Sequence, residues 1–185
     1  MAGFYFTLLA VLLSGLGARD QVTVAGLALK QGFRWPVMAT GALVSVATAV
    51  LAVWAATLIA PLMQPPARLF LSAIALAFAG AESLLLAPRR KPDEPTHSLG
   101  ALLIVLIAHQ MTDAPRFLIF AIAIAAAAPV PAGIGGAFGG IALIAAGCAV
   151  PELVTHPRAR LARRLVGVAL LLLAAWIALR VMVFA

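Results

Sequence analysis

Six apolar stretches run along this chain, separated by short polar or proline-bearing breaks. They cover about Gly3 to Leu29, Trp35 to Ala60, Leu69 to Ala87, Leu99 to Ala128, Ala132 to Val150 and Leu161 to Phe184. Alanine and leucine dominate them, and no apolar–polar alternation is sustained, which predicts helices rather than barrel strands. Each is long enough for a hydrocarbon core of about 30 Å, which takes roughly 17–25 helical residues. Most prolines fall at the breaks: Pro36, Pro61, Pro65, Pro66, Pro88, Pro129, Pro131, Pro151 and Pro157. Pro115 stands inside the fourth stretch, which, like the first, is unusually long and carries polar residues partway along.

Composition turns this pattern into a class. The chain has 185 residues, 64% of them hydrophobic and only 10% charged. A soluble domain is about a quarter charged, and a small one this apolar could not cover its own surface. Lipid removes that difficulty, so the expected fold is an all-α integral membrane protein in a lipid bilayer. The net charge of +7 comes from basic residues spread over short loops, where topology signals normally sit, so no nucleic-acid partner is expected. The lone Cys148 lies in an apolar run, which rules out an intrachain disulfide and points to packing. Residues 1–18 lack a positive n-region, and hydrophobicity resumes after Asp20, so they read as a retained first helix rather than a signal peptide.

The basic residues also set an orientation. Loop one–two holds Lys30 and Arg34, loop three–four Arg89, Arg90 and Lys91, and loop five–six Arg158, Arg160, Arg163 and Arg164. The opposite side has Arg68, with Arg180 near the end of the last helix, where it can snorkel. The positive-inside rule then places those three loops in the cytoplasm and both termini outside it, as in a multi-pass protein of a bacterial inner membrane. The halves resemble each other: Gly41-Ala42 and Gly136-Ala137 lie about 95 residues apart, as do Arg68 and Arg163. The expected organisation is six transmembrane helices as two inverted three-helix repeats, 1–88 and 99–185, joined by a cytoplasmic linker, 89–98. Secondary transporters often have this design, with the substrate site where corresponding helices are broken.

Polar groups inside apolar helices are costly, which makes each a candidate for function. The first cluster is Ser14-Gly15-Leu16-Gly17-Ala18-Arg19-Asp20-Gln21. Its glycines permit a helix break, and Asp20 offers a carboxylate for a hard cation or a proton. Alternatively, Arg19 and Asp20 meet headgroups. The second cluster is His109-Gln110-Met111-Thr112-Asp113-Ala114-Pro115-Arg116. Here Asp113 and Arg116 are spaced to neutralise each other on a helix, Pro115 frees a carbonyl, and His109 is suited to relaying protons. Glu82, late in the third stretch, reads as a relay candidate or an interfacial acid. Glu152 and His156 read as a solvated turn, and Asp93 and Glu94 as exposed linker. Phosphate-binding glycine loops, nucleophile elbows and zinc-ligand spacings are missing from the sequence, so neither enzyme activity nor a cofactor is expected.

The first cluster resembles the Glu-x-Gly-Asp-Lys/Arg-Thr/Ser-Gln motif of the GDT-type cation/proton exchangers, the family of transmembrane protein 165. Gly17, Arg19 and Gln21 match it; Leu106 to Asp113 occupies the corresponding place in the second half, and Gly135 to Gly140 resembles the fifth helix. The resemblance implies six helices in inverted repeats and exchange of Mn²⁺ or Ca²⁺ for H⁺. The motif carboxylates fall on Gly15 and Ala18, and on His109 and Thr112. The metal would then depend on displaced acids, Asp20 and Asp113, with His109 and Glu82 as further relay candidates and Thr112 and Arg116 in support. The alternatives are a transport-inactive membrane subunit of the same fold and a small six-helix exporter of another substrate, with a homo-oligomer compatible with each.

Overall fold

A computed structural model describes residues 2–86 and 98–184. The basic run Arg89-Arg90-Lys91 and the acids Asp93 and Glu94 of the expected linker lie outside the described residues. The described chain forms α1 (Ala2–Gly15), α2 (Arg19–Gln31), α3 (Trp35–Ile59), a 3-10 turn (Ala60–Leu62), α4 (Pro65–Leu85), α5 (Leu99–Met111), α6 (Ala114–Ala125), α7 (Pro129–Ala149), α8 (Pro151–Thr155) and α9 (Pro157–Phe184). No strand occurs among the described residues.

Four of these elements are long and apolar enough to cross a bilayer: α3 with its 3-10 turn, α4, α7 and α9. The other spans expected from the sequence are each two helices, α1 with α2 bent by 59° and α5 with α6 bent by 51°. Counting each bent pair as one span gives six. The chain is a multi-pass α-helical membrane protein, with apolar side chains such as Leu43, Trp54, Leu62, Leu172 and Trp176 exposed along its outer face. A solvated surface of that kind would be untenable, whereas acyl chains cover it without loss.

Local sequence explains where the helices start and stop. A proline stands at the first or second position of α3, α4, α6, α7 and α8, where an N–H would lack a partner in any case. Pro115 therefore belongs to the same class as the others: it opens α6 rather than interrupting a helix. Without an N–H, and with a ring that would press on the turn before it, Pro115 prevents α5 from running on. In the first half the chain turns at Gly17, whose φ of +70° lies in the left-handed region that favours glycine. The Pro151–Thr155 segment, expected as a solvated turn, is a short helix whose Glu152 and His156 are exposed.

Packing is closest where side chains are smallest. Helix α4 lies against α9 at Gly80 and Gly167, α1 against α7 at Gly135 and Gly139, and α3 against α7 at Gly41. A Cβ on Gly80 would stand 2.8 Å from the Gly167 carbonyl oxygen and 2.8 Å from Leu171 Cγ. The helices touch there through backbone, which compensates for the missing hydrophobic drive between helices in lipid. Cys148 packs with Val24, Leu27, Val44, Leu106 and Ile144. Gly80→Val should cost about 1–3 kcal/mol of stability, read as a lower thermal midpoint in detergent. Gly100→Ala, where nothing but Ser98 Oγ lies within 4 Å of the new Cβ, should show no loss.

Candidate functional site

The two helix breaks meet, and the polar side chains that the sequence scatters along the chain converge on them. Arg19, the first residue of α2, reaches across to the α5–α6 break. Its Nη2 donates to Asp113 Oδ1 at 2.9 Å and Thr112 Oγ1 at 2.7 Å, with the Thr112 and His109 carbonyl oxygens at 3.3 and 3.5 Å. Its Nε donates to the same Asp113 oxygen at 3.1 Å and stands 3.6 Å from Glu82 Oε1. Asp113 is buried, and its Oδ2 has no hydrogen-bond partner among the described residues. His109 Nδ1 lies 3.5 Å from Thr23 Oγ1.

Glu82, four residues from where α4 gives way to its cap at Leu86, holds a second ion pair. Both of its carboxylate oxygens accept from Arg163 Nη2, and Oε2 also accepts the Ala114 N–H at 3.3 Å. Arg163 Nη1 continues to the Leu86 carbonyl at 3.3 Å and the Gly17 carbonyl at 3.5 Å. The sequence reading of Arg163 as a loop residue that reports topology is corrected here. It is 2% exposed, because α9 begins at Pro157 and carries it inward on its second turn. Glu82 is likewise buried within the fold.

A third group surrounds Gln110. Its Nε2 donates to Asp20 Oδ2 at 2.9 Å and Ser45 Oγ at 3.1 Å, while its Oε1 accepts from Thr48 Oγ1 at 3.0 Å and from Arg116 Nη2. Arg116 Nε donates to Thr48 Oγ1 at 2.8 Å. Asp20 Oδ1 takes the Gln21 N–H at 2.7 Å. Gln21 stitches the first break shut: its Oε1 accepts the Gly17 N–H at 2.7 Å and its Nε2 donates to the Leu143 carbonyl of α7 at 3.0 Å.

Asp113 and Arg116 do not pair as their spacing suggests. Asp113 is the N-cap of α6, with extended backbone (φ −92°, ψ 150°), so the helical i,i+3 geometry does not extend to it. Its ion pair is with Arg19 and Arg116 turns to Gln110 and Thr48.

The placement follows helix electrostatics. Carboxylates gather at the start of α6, where Asp113 holds the N-cap position without a capping bond and Glu82 accepts an N–H. Guanidiniums sit on the carbonyls that end the preceding segments, Arg19 at α5 and Arg163 at the Gly17 turn after α1. These four charges thus face the opposite end of a helix dipole, whereas Arg116, in the first turn of α6, turns to side chains. Three acids (Asp20, Glu82, Asp113) and three arginines (Arg19, Arg116, Arg163) make the cluster formally neutral. Among the described residues no group of three or more His, Cys, Asp or Glu side chains is placed to hold a metal ion. Thr48 and Arg116 also line a cavity of about 360 Å³ between α3, α4 and α6, whose other walls are apolar, among them Phe78, Met111 and Phe120.

All nine residues singled out in the sequence, Asp20, Asp113, His109, Glu82, Gly17, Arg19, Gln21, Thr112 and Arg116, line or brace the two breaks. Gln110, which the second cluster contained without a role of its own, joins them, as do Ser45 and Thr48, which were not expected. Their signal was present, since each is a polar group in an apolar helix, but serines and threonines satisfy themselves on the preceding turn so often that it carries little weight. Comparison with protein-family models, curated proteins and solved structures finds no match.

Arg163→Met should cost about 3–5 kcal/mol, because it strands a buried carboxylate. Adding Glu82→Gln should recover part of that loss, measured as unfolding midpoints of the single and double variants.

Proposed function

We propose that this protein is a secondary transporter of two inverted three-helix repeats, residues 1–88 and 99–185, that exchanges a divalent cation such as Mn²⁺ or Ca²⁺ for protons. The observation that carries the reading is the meeting of two broken spans at a buried cluster of acids, with Arg19 bonded to Asp113 across 94 positions of sequence. Broken helices expose carbonyls and N–H groups that a continuous helix would use internally, which is how transporters of this design hold ions. Support for the orientation, with both termini outside the cytoplasm of a bacterial inner membrane, comes from the basic residues of alternate connections, Lys30 and Arg34 around the α2–α3 junction and Arg158, Arg160 and Arg164 at the start of α9.

In this reading Asp113 and Asp20 are the cation ligands and proton acceptors, with Glu82 and His109 as further relay groups. Because each acid already faces a guanidinium or an amide, a cation can enter only as one of those partners withdraws, while Asp113 Oδ2, which has no partner among the described residues, is open to a proton. The same charge balance favours a second reading, a transport-inactive subunit whose breaks are locked by internal ion pairs.

Uptake of Mn²⁺ and Ca²⁺ into proteoliposomes under an imposed pH gradient separates the two. The transporter reading expects flux in the parent and at least about a tenfold loss in Asp20→Asn and Asp113→Asn, the scale of one lost charged interaction. A folded parent that moves neither ion supports the inactive subunit.

A further inference from the structure

We propose that Arg19 is a tethered cation: its guanidinium occupies a hard-cation site formed by the α5–α6 break, and soluble cations compete with it for that site. The inference rests on the transport reading and deepens it by naming what fills the site when no substrate does.

The number of oxygens around Arg19 argues for this. Nη2 carries two protons, yet four oxygens surround it, from Asp113 Oδ1, Thr112 Oγ1 and the carbonyls of Thr112 and His109, at 2.7–3.5 Å. A guanidinium satisfies a carboxylate through a planar fork of two parallel bonds. Here both Nε and Nη2 fall on the same oxygen, Oδ1, and Oδ2 is left buried without a partner. The side chain therefore fills the space without matching it. A carboxylate, a hydroxyl and two carbonyls converging on one point are what a hard cation coordinates, at about 2.3–2.6 Å for Ca²⁺. The carboxylate and hydroxyl oxygens, at 2.9 and 2.7 Å, need close in only by a few tenths of an ångström, the two carbonyls, at 3.3 and 3.5 Å, by roughly 0.7–0.9 Å, and the spare Asp113 oxygen supplies a further ligand.

Charge and access agree. A cation in place of the guanidinium restores the charge that Arg19 brings, at the carbonyl end of α5 where the helix dipole is negative. Thr112 is exposed and the Arg19 side chain is 21% exposed, so the site opens to the surface while Asp113 lies beneath it. Arg19 is also long enough to leave: withdrawn from Asp113, it can turn to Glu82, 3.6 Å from its Nε.

The test is thermal unfolding of detergent-purified protein with NaCl, KCl, CaCl₂ or MnCl₂, with choline chloride as the ionic-strength control. Arg19→Gln should melt below the parent, and at least one of the four cations at millimolar concentration should raise its midpoint by about 5 °C or more. Arg19→Gln/Asp113→Asn should lose that response. No response in Arg19→Gln beyond that of the parent, or an equal response in the double variant, overturns the proposal. Should Arg19→Gln fail to fold, Arg19→Lys keeps the charge but gives up the planar fork, and it should bind the responding cation at least tenfold more tightly than the parent does. Equal affinity in the two overturns the proposal. A cation-responsive Arg19→Gln beside a parent without flux removes the transport reading alone; flux in the parent with no response in the variant removes the tethered cation alone.

Discussion

Everything at the centre of this protein depends on the cost of placing charge where water is scarce. A single ionised side chain at the middle of a membrane helix costs about 2.5–3.5 kcal/mol on insertion scales, and six are gathered here. They are tolerable because they neutralise one another in sets: Arg19 with Asp113, Arg163 with Glu82, and Arg116 with Asp20 through the amide of Gln110. None of these sets lies within one helix. Each joins elements far apart in sequence, so the bundle cannot close until the charges have found each other, and losing one member leaves its partner stranded.

The second constraint is the backbone. Two apolar helix pairs break partway along, and in lipid every freed N–H and C=O must be satisfied within the protein. The molecule meets both demands with the same side chains. Gln21 takes the Gly17 N–H, Glu82 takes the Ala114 N–H, and the arginines take the carbonyls. The groups that make the breaks permissible are thus the ones that make the centre polar, which is why structural and functional roles cannot be assigned to separate residues here.

How much of this was legible in the sequence differs by residue. The apolar stretches and their ends were clear, because length and proline placement act locally. Asp20, Asp113 and Arg19 stood out because charge inside an apolar run needs a reason. Arg163 did not, since it sits in a basic run with Arg160 and Arg164 and only the phase of α9 shows that it points inward. The Asp113–Arg116 pairing suggested by spacing failed because α6 begins only at Ala114, which leaves Asp113 in extended backbone ahead of the helix that carries Arg116. Gln110 was the least legible: an amide signals little alone, and its four partners come from α2, α3 and α6.

The two breaks are held in unlike ways. The first is anchored by Gln21 to the backbone of α7, through the Leu143 carbonyl, so it moves only if α7 moves with it. The second is held through side chains: Arg19 on Asp113 and Thr112, Glu82 on the Ala114 N–H, and Gln110 and Arg116 on Thr48 of α3. One jaw is therefore pinned to the backbone of a neighbouring helix, while the other is laced by side chains that can trade partners without unwinding a turn.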